Sequence, residues 1–234
     1  MNTSSFLVTA RRFAALTAAT APLLLGACAN QAVTQSGFLV DYDKLFASQK
    51  DAKSLSYSRA AGANSAAARL VVVIDPIDMR LPVAQTADLA PELVRQAKAD
   101  FRVALEKAFS KSYQVVGQAP AEGALRVRAA ITGLKPSNPA LNAATFLLLG
   151  PVSNGGVSTE AEVVDSATGE RVAARATYTN GHLFDGGLGG YFDKLGHIRK
   201  AFDSHAEKLR ELTFADATAA NATAAAATPQ IVNR

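Results

Sequence analysis

Residues 157–178, VSTEAEVVDSATGERVAARATY, set two runs of small, β-branched and charged residues around Asp165-Ser166-Ala167-Thr168-Gly169-Glu170. Asp favours turns because its side chain bonds nearby backbone, and Gly because it enters left-handed conformations freely. The stretch therefore reads as a hairpin with strands at about 157–165 and 170–178. With residues 166–169 as the loop, Val163 falls opposite Val172, Ala161 opposite Ala174, and Val157 opposite Tyr178. Glu160 then meets Arg175 on the other face. This register pairs apolar with apolar and acid with base.

Working outward, residues 124–133 also alternate. Leu125, Val127, Ala129 and Ile131 point one way, and Arg126, Arg128, Ala130 and Thr132 the other. One face should be solvated, which suits antiparallel pairing. The continuous run Arg69-Leu70-Val71-Val72-Val73-Ile74, closed by Asp75-Pro76, suits a strand covered on both faces. A helix is expected over roughly 90–110, with Pro91 in its first turn and Leu93, Val94, Ala97, Phe101, Ala104, Leu105, Ala108 and Phe109 on one side. Tyr113-Gln114-Val115-Val116 is a short strand. A last helix over 191–214 carries a stripe of Tyr191, Phe192, Leu195, Ile198, Phe202, Leu209 and Leu212. The order β-α-β-β-β-β-α predicts an α+β fold: a two-layer sandwich, its sheet mostly antiparallel, with two amphipathic helices on one face.

That domain should cover residues 69–214. Residues 28–68 read as a tether with a docking segment near 36–46, where aromatic and aliphatic residues gather. The Ala/Thr-rich residues 215–234 read as a disordered tail. The chain has 234 residues, 49% of them hydrophobic, a formal charge of +4 and one cysteine. So weak and scattered a charge argues against a nucleic-acid surface. One cysteine excludes an intramolecular disulfide framework and a Cys-based zinc site.

Residues 1–27 contain no acid, and Arg11 and Arg12 precede an apolar run from Phe13 to Leu25. The run is too short to span a bilayer and has the flanks of a secretory signal. It ends Leu25-Gly26-Ala27-Cys28, which resembles the bacterial lipobox. The resemblance implies that signal peptidase II recognises Leu25, Gly26 and Ala27 and cuts before Cys28. Cys28 would then carry a diacylglyceryl group and, on its amine, a fatty acyl chain such as palmitate. Two or three acyl chains anchor a protein stably where one does not. Ala29 follows, with no Asp there to retain the protein at the inner membrane. The outer membrane, facing the periplasm, is the expected location. Removing residues 1–27 leaves 22 Lys+Arg against 20 Asp+Glu.

Several segments together resemble the bacterial lipoprotein family catalogued as domain of unknown function 3313. They are Ser36-Gly37-Phe38-Leu39 with Asp41-Tyr42 and Leu45, Val72-Val73-Ile74-Asp75-Pro76, Leu125 through Thr132, and Glu160 through Ser166 with Thr168-Gly169-Glu170. The likeness spans roughly residues 36–212 and implies an envelope location without an established activity. More loosely, the strand-helix-strand start and the hairpin are similar to periplasmic domains of envelope-assembly lipoproteins, such as the curli secretion lipoprotein, which act by protein contact.

The polar residues offer little catalysis. His182, His197 and His205 lack ligand spacing for a metal. Asp75, Asp78, Asp165 and Glu170 sit where turns want them. Glycines 181, 186, 187, 189 and 190 read as a flexible connection. Arg126, Arg128, Arg171 and Arg175, with Glu160 and Glu162, should share the open face of the sheet as a solvated, self-neutralising surface or a polar recognition surface. Phe146-Leu147-Leu148-Leu149 is a compact apolar segment, either covering the core or offering an interaction surface.

The expectation is a non-enzymatic envelope lipoprotein without cofactor or metal. Its partners would be the membrane through Cys28 and an envelope protein or a second copy, with no nucleic acid. A small-molecule or lipid carrier is the alternative, with an apolar cavity near Phe101, Phe146 and Phe202. An enzyme built from Asp75, His182 and Asp185 is a further one.

Overall fold

A computed structural model describes residues 35–48, 51–59, 70–86, 89–120, 123–145, 155–180 and 193–227. Cys28, Leu25, Gly26 and Ala27 lie outside these residues, as do Phe146–Leu149, His182, Asp185 and the glycines from 181 to 190.

The strands are β1 (Phe46–Ser48), β2 (Asp51–Ser58), β3 (Val71–Ile74), β4 (Asp78–Met79), β5 (Gln114–Val116), β6 (Leu125–Lys135), β7 (Gly156–Asp165) and β8 (Arg171–Asn180). They form a single sheet ordered β1-β2-β8-β7-β6-β3-β5, with β4 also on β6. From β1 to β6 the pairing is antiparallel; β3, β4 and β5 join in parallel. The α+β class holds, with a mixed sheet of eight strands. Strands β3 and β4 follow one another along the edge of β6, interrupted at Pro76, which has no N–H to donate. The ladder closes on either side of it, where Asp75 N–H donates to the Val127 carbonyl and Arg80 N–H to that of Ile131.

Helices α2 (Pro91–Phe109) and α4 (Gly196–Ala227) cover one face, and α1 (Val83–Thr86) and α3 (Pro139–Thr145) are short. Pro91 starts α2 without a side-chain cap, its fixed φ suiting the first helical position. The buried face of α2 is Ala97, Phe101, Ala104, Leu105, Ala108 and Phe109 at helical spacing. These meet Leu195, Ile198, Phe202 and Leu209 of α4 and Leu125, Val127, Ala129 and Ile131 of β6 in the main core. The Phe101 and Phe202 rings stack at 4.6 Å.

Three sequence readings change. Strands β1 and β2 occupy residues read as tether, and β2 pairs along β8 from Ser54↔Thr177 to Ser58↔Ala173. Helix α4 begins at Gly196 and runs to Ala227, into the stretch read as a disordered tail. Alanine has the highest helix propensity, so an Ala-rich run can prolong a helix that is already nucleated. The hairpin register also differs. Val164 pairs with Arg171 but Val163 with Ala173, so Val172 is an extra residue, and beyond this bulge Ala161 faces Arg175 and Glu160 faces Ala176.

Candidate functional site

The bulge turns Arg175 to the same face as Ala161, toward the helices, where its guanidinium donates to Ser56 Oγ at 3.1 Å. Glu160 and Glu162 point to the opposite face. The expected solvated surface is therefore split, and most of its acidic part is covered.

The cover is the segment from Gln35 to Leu45. It crosses the helix-free face as a strap and ends in a 3-10 turn at Tyr42–Lys44. Gly37 (φ 77°) and Asp41 (φ 55°) are left-handed, bending the chain on either side of Phe38-Leu39-Val40. Phe38, Leu39 and Leu45 bury themselves on Ala130, Ala174 and Ala176, with Leu55 and Tyr57 alongside. This explains why β6 stops alternating after Arg128: the outward positions under the strap hold alanine, small enough to let another layer of chain approach. The docking segment read near 36–46 is this strap.

One carboxylate holds it. Glu160 is only 1% exposed, and it accepts from Ser36 N–H at 3.0 Å, Leu39 N–H at 3.2 Å and the Tyr42 hydroxyl at 2.5 Å. The Tyr42 oxygen in turn accepts from Gly37 and Leu39 N–H. A tight turn leaves backbone donors that no strand satisfies, and here a buried anion satisfies them. Burial, then the bond to Glu160, raises the Tyr42 phenol above its ordinary range. The Arg80 and Arg128 guanidiniums lie 5.4 and 5.9 Å from the centre of the Phe38 ring.

Beside the strap, Glu162 accepts from Arg128 at 2.7 Å and from Arg171 at 2.9 Å. Its side chain is 5% exposed, that of Arg171 13% and that of Arg128 49%. These three, with Val40, Asp41, Lys44, Tyr57, Arg59, Val164, Gly169 and Glu170, line a groove of about 410 Å3. Lys44 bonds Asp41 at 2.8 Å, which lowers the Asp41 carboxyl and raises the Lys44 ammonium. Arg59 pairs with Glu170 at 3.0 Å. A larger groove, about 620 Å3, lies at the other end of the fold between α1, the start of α2 and residues 134–139, with Leu89, Leu93 and Leu134 in its wall.

Asp75 is taken up by Arg126, which donates to both carboxylate oxygens at 3.0 to 3.2 Å. His197 and His205 are both buried. His205 Nδ1 lies 2.8 Å from Thr159 Oγ1 and 3.1 Å from Thr177 Oγ1, and the ring meets Phe101 edge-on. Burial, with the nearby Arg175 charge, pushes its pKa well below that of an ordinary histidine. Among the described residues no group of three or more His, Cys, Asp or Glu is placed to hold a metal. The sequence missed the clamp because Glu160 sits in a run with Glu162 that looks solvated. The signal was available in the alanines at 130, 174 and 176.

No curated protein matches the chain. Among solved structures, the PelC dodecamer from Paraburkholderia phytofirmans is 13% identical, with 70% of this chain matching 96% of that one at a TM-score of 0.38. Protein XCC0632 from Xanthomonas campestris is 9% identical, with 73% matching 96% at 0.35. Lipoprotein GNA1162 from Neisseria meningitidis is 14% identical, with 51% matching 88% at 0.30. The model of a family described as proteins of unknown function, DUF3313, matches residues 34–209, the strap, α2 and the first part of α4 included, and the chain belongs to that family.

Proposed function

We propose that this is a lipid-anchored protein of the bacterial envelope, held at the outer membrane through Cys28, and that its domain works by contact with another envelope protein or a second copy rather than by catalysis. The observation that carries the anchor is the order of features at the N-terminus: Arg11-Arg12, the apolar run to Leu25, then Gly26-Ala27-Cys28. The described part of the domain begins at Gln35. The seven residue steps from Cys28 to Gln35 span at most about 25 Å when fully extended. In this reading the strap is the first part of the domain to leave the membrane surface. Among the described residues no helix is long and apolar enough to cross a bilayer.

The anchor is tested by Cys28→Ala in cells fed labelled palmitate. The label should disappear from the protein, and the protein should leave the membrane fraction; continued labelling and membrane retention would refute the reading. Contact is tested separately with a photo-crosslinking residue at Leu148 in intact cells. A discrete adduct of defined mass supports it, and monomer alone at every expression level counts against it.

A further inference from the structure

Among the described residues, the groove beside the strap is lined by four cations and three carboxylates. Arg59 has Glu170 and Lys44 has Asp41, but Arg128 and Arg171 share the single carboxylate of Glu162. Arg171 uses Nε on Glu162 and Arg128 uses one Nη. Both Nη groups of Arg171, and the Nε and second Nη of Arg128, have no protein partner among the described residues. Arg171 is largely withdrawn from solvent, and its charge is felt by Asp41 and Lys44 across the groove. A guanidinium with an unused planar fork in a partly dry pocket matches an anion with two coplanar oxygens. Val40, Tyr57 and Val164 complete the wall, so the groove is apolar beside its donors. Its volume is about 410 Å3, within the range of small-ligand sites.

We infer that this groove is a phosphate-binding site, seating the glycerophosphate headgroup of an anionic phospholipid between the strap and the β7–β8 hairpin. The phosphate oxygens take the free Nη donors of Arg128 and Arg171 and cancel the surplus charge. Tyr57 and Val40 lie against the glycerol and the start of the acyl chains. The site belongs to the folded domain, so it is independent of whether Cys28 is acylated.

The test uses residues 29–234, which include the whole folded unit and lack the cysteine. Binding is measured to phosphatidylglycerol vesicles, to phosphatidylcholine vesicles and to soluble glycerol phosphate. Phosphatidylglycerol binding that glycerol phosphate competes away supports the headgroup as source. Saturable binding of glycerol phosphate without vesicle binding keeps the phosphate site and assigns it to a soluble ester. The double variant Arg128→Gln/Arg171→Gln should lose at least about tenfold in affinity, as expected when charge-assisted bonds are removed. Because Arg171 is partly buried, Val164→Glu provides a second variant: it supplies the missing negative charge while leaving both guanidiniums in place, and should weaken binding by a similar factor. Arg95→Gln, on the exposed side of α2, should bind as the parent does. Equal binding to both vesicle types, binding unaffected by both groove variants in folded protein, or competition by polyglutamate but not by glycerol phosphate would overturn the assignment.

Discussion

Replacing Glu160 with Gln should release the strap without unfolding the domain. The carboxylate takes three donors, from Ser36, Leu39 and Tyr42. Glutamine keeps one carbonyl oxygen in the same place, offers an NH2 where the second acceptor was, and carries no charge. About two of the three charge-assisted bonds are lost, at roughly 1.5 kcal/mol each near the low end of their range, for about 3 kcal/mol in all. The freed amides can turn to water once the strap lifts, so the loss falls on strap docking and not on the core between sheet and helices. At 1.4 kcal/mol per tenfold, the opening equilibrium shifts by roughly two decades. Amide hydrogen exchange measures this directly, because local opening sets the protection of each site. Protection at Leu39 N–H should fall about a hundredfold while that at Val127 and Phe101 is unchanged. If Leu39 stays protected within about threefold of the parent, or if Val127 loses protection equally, Glu160 is not what holds the strap.

Three further outcomes follow from the same geometry. The Tyr42 phenol is raised in the folded state, so its contribution is complete below the ordinary tyrosine value of about 10 and is lost as pH climbs above it; Leu39 exchange should show this alkaline step, and Tyr42→Phe should abolish it. His205 is lowered, so the folded and unfolded chains differ only below about pH 6.5, where the unfolded chain takes up the proton. Unfolding free energy should then fall by up to about 2 kcal/mol by pH 5, and His205→Gln should flatten that part of the pH profile in urea titrations. Phe202→Ala empties one half of the stacked pair at the centre of the core and should cost about 3–5 kcal/mol in urea unfolding, whereas a cost under about 1 kcal/mol would contradict the stacking.

The elements that could be read from the chain are those whose apolar spacing has one interpretation. Helix α2 was expected at 90–110 and lies at Pro91–Phe109, because its stripe repeats at helical spacing with a proline at its head. Strand β6 and the two hairpin strands also fall where alternation placed them. Strand β2 was invisible because Asp51–Ser58, DAKSLSYS, offers only Leu55 and Tyr57 as apolar alternates. Its serines face the helices, where Ser56 takes a hydrogen bond from Arg175 and Ser58 donates to the Leu212 carbonyl. That face is satisfied by polar contacts, so no hydrophobic signal marks it. The register slipped for a related reason: Glu160 and Arg175 looked like a pair, but each is occupied on its own side of the sheet. Val172, the bulge residue, carries no glycine or proline to announce it. The clamp and the groove depend on chain segments more than a hundred residues apart, and no local pattern could have joined them.

That separation also orders the birth of the fold. Ser36 meets Glu160 across 124 positions, and among the described residues β2 pairs with β1, itself three residues long, and with β8. A two-stranded ribbon is marginal alone. As the chain emerges from its N-terminus, β2 therefore has no strand beside it but β1, among the described residues, until β8 has followed. Contacts this distant in sequence close late. The strap can therefore close over the sheet only once Glu160 has been made, late in the assembly of the domain.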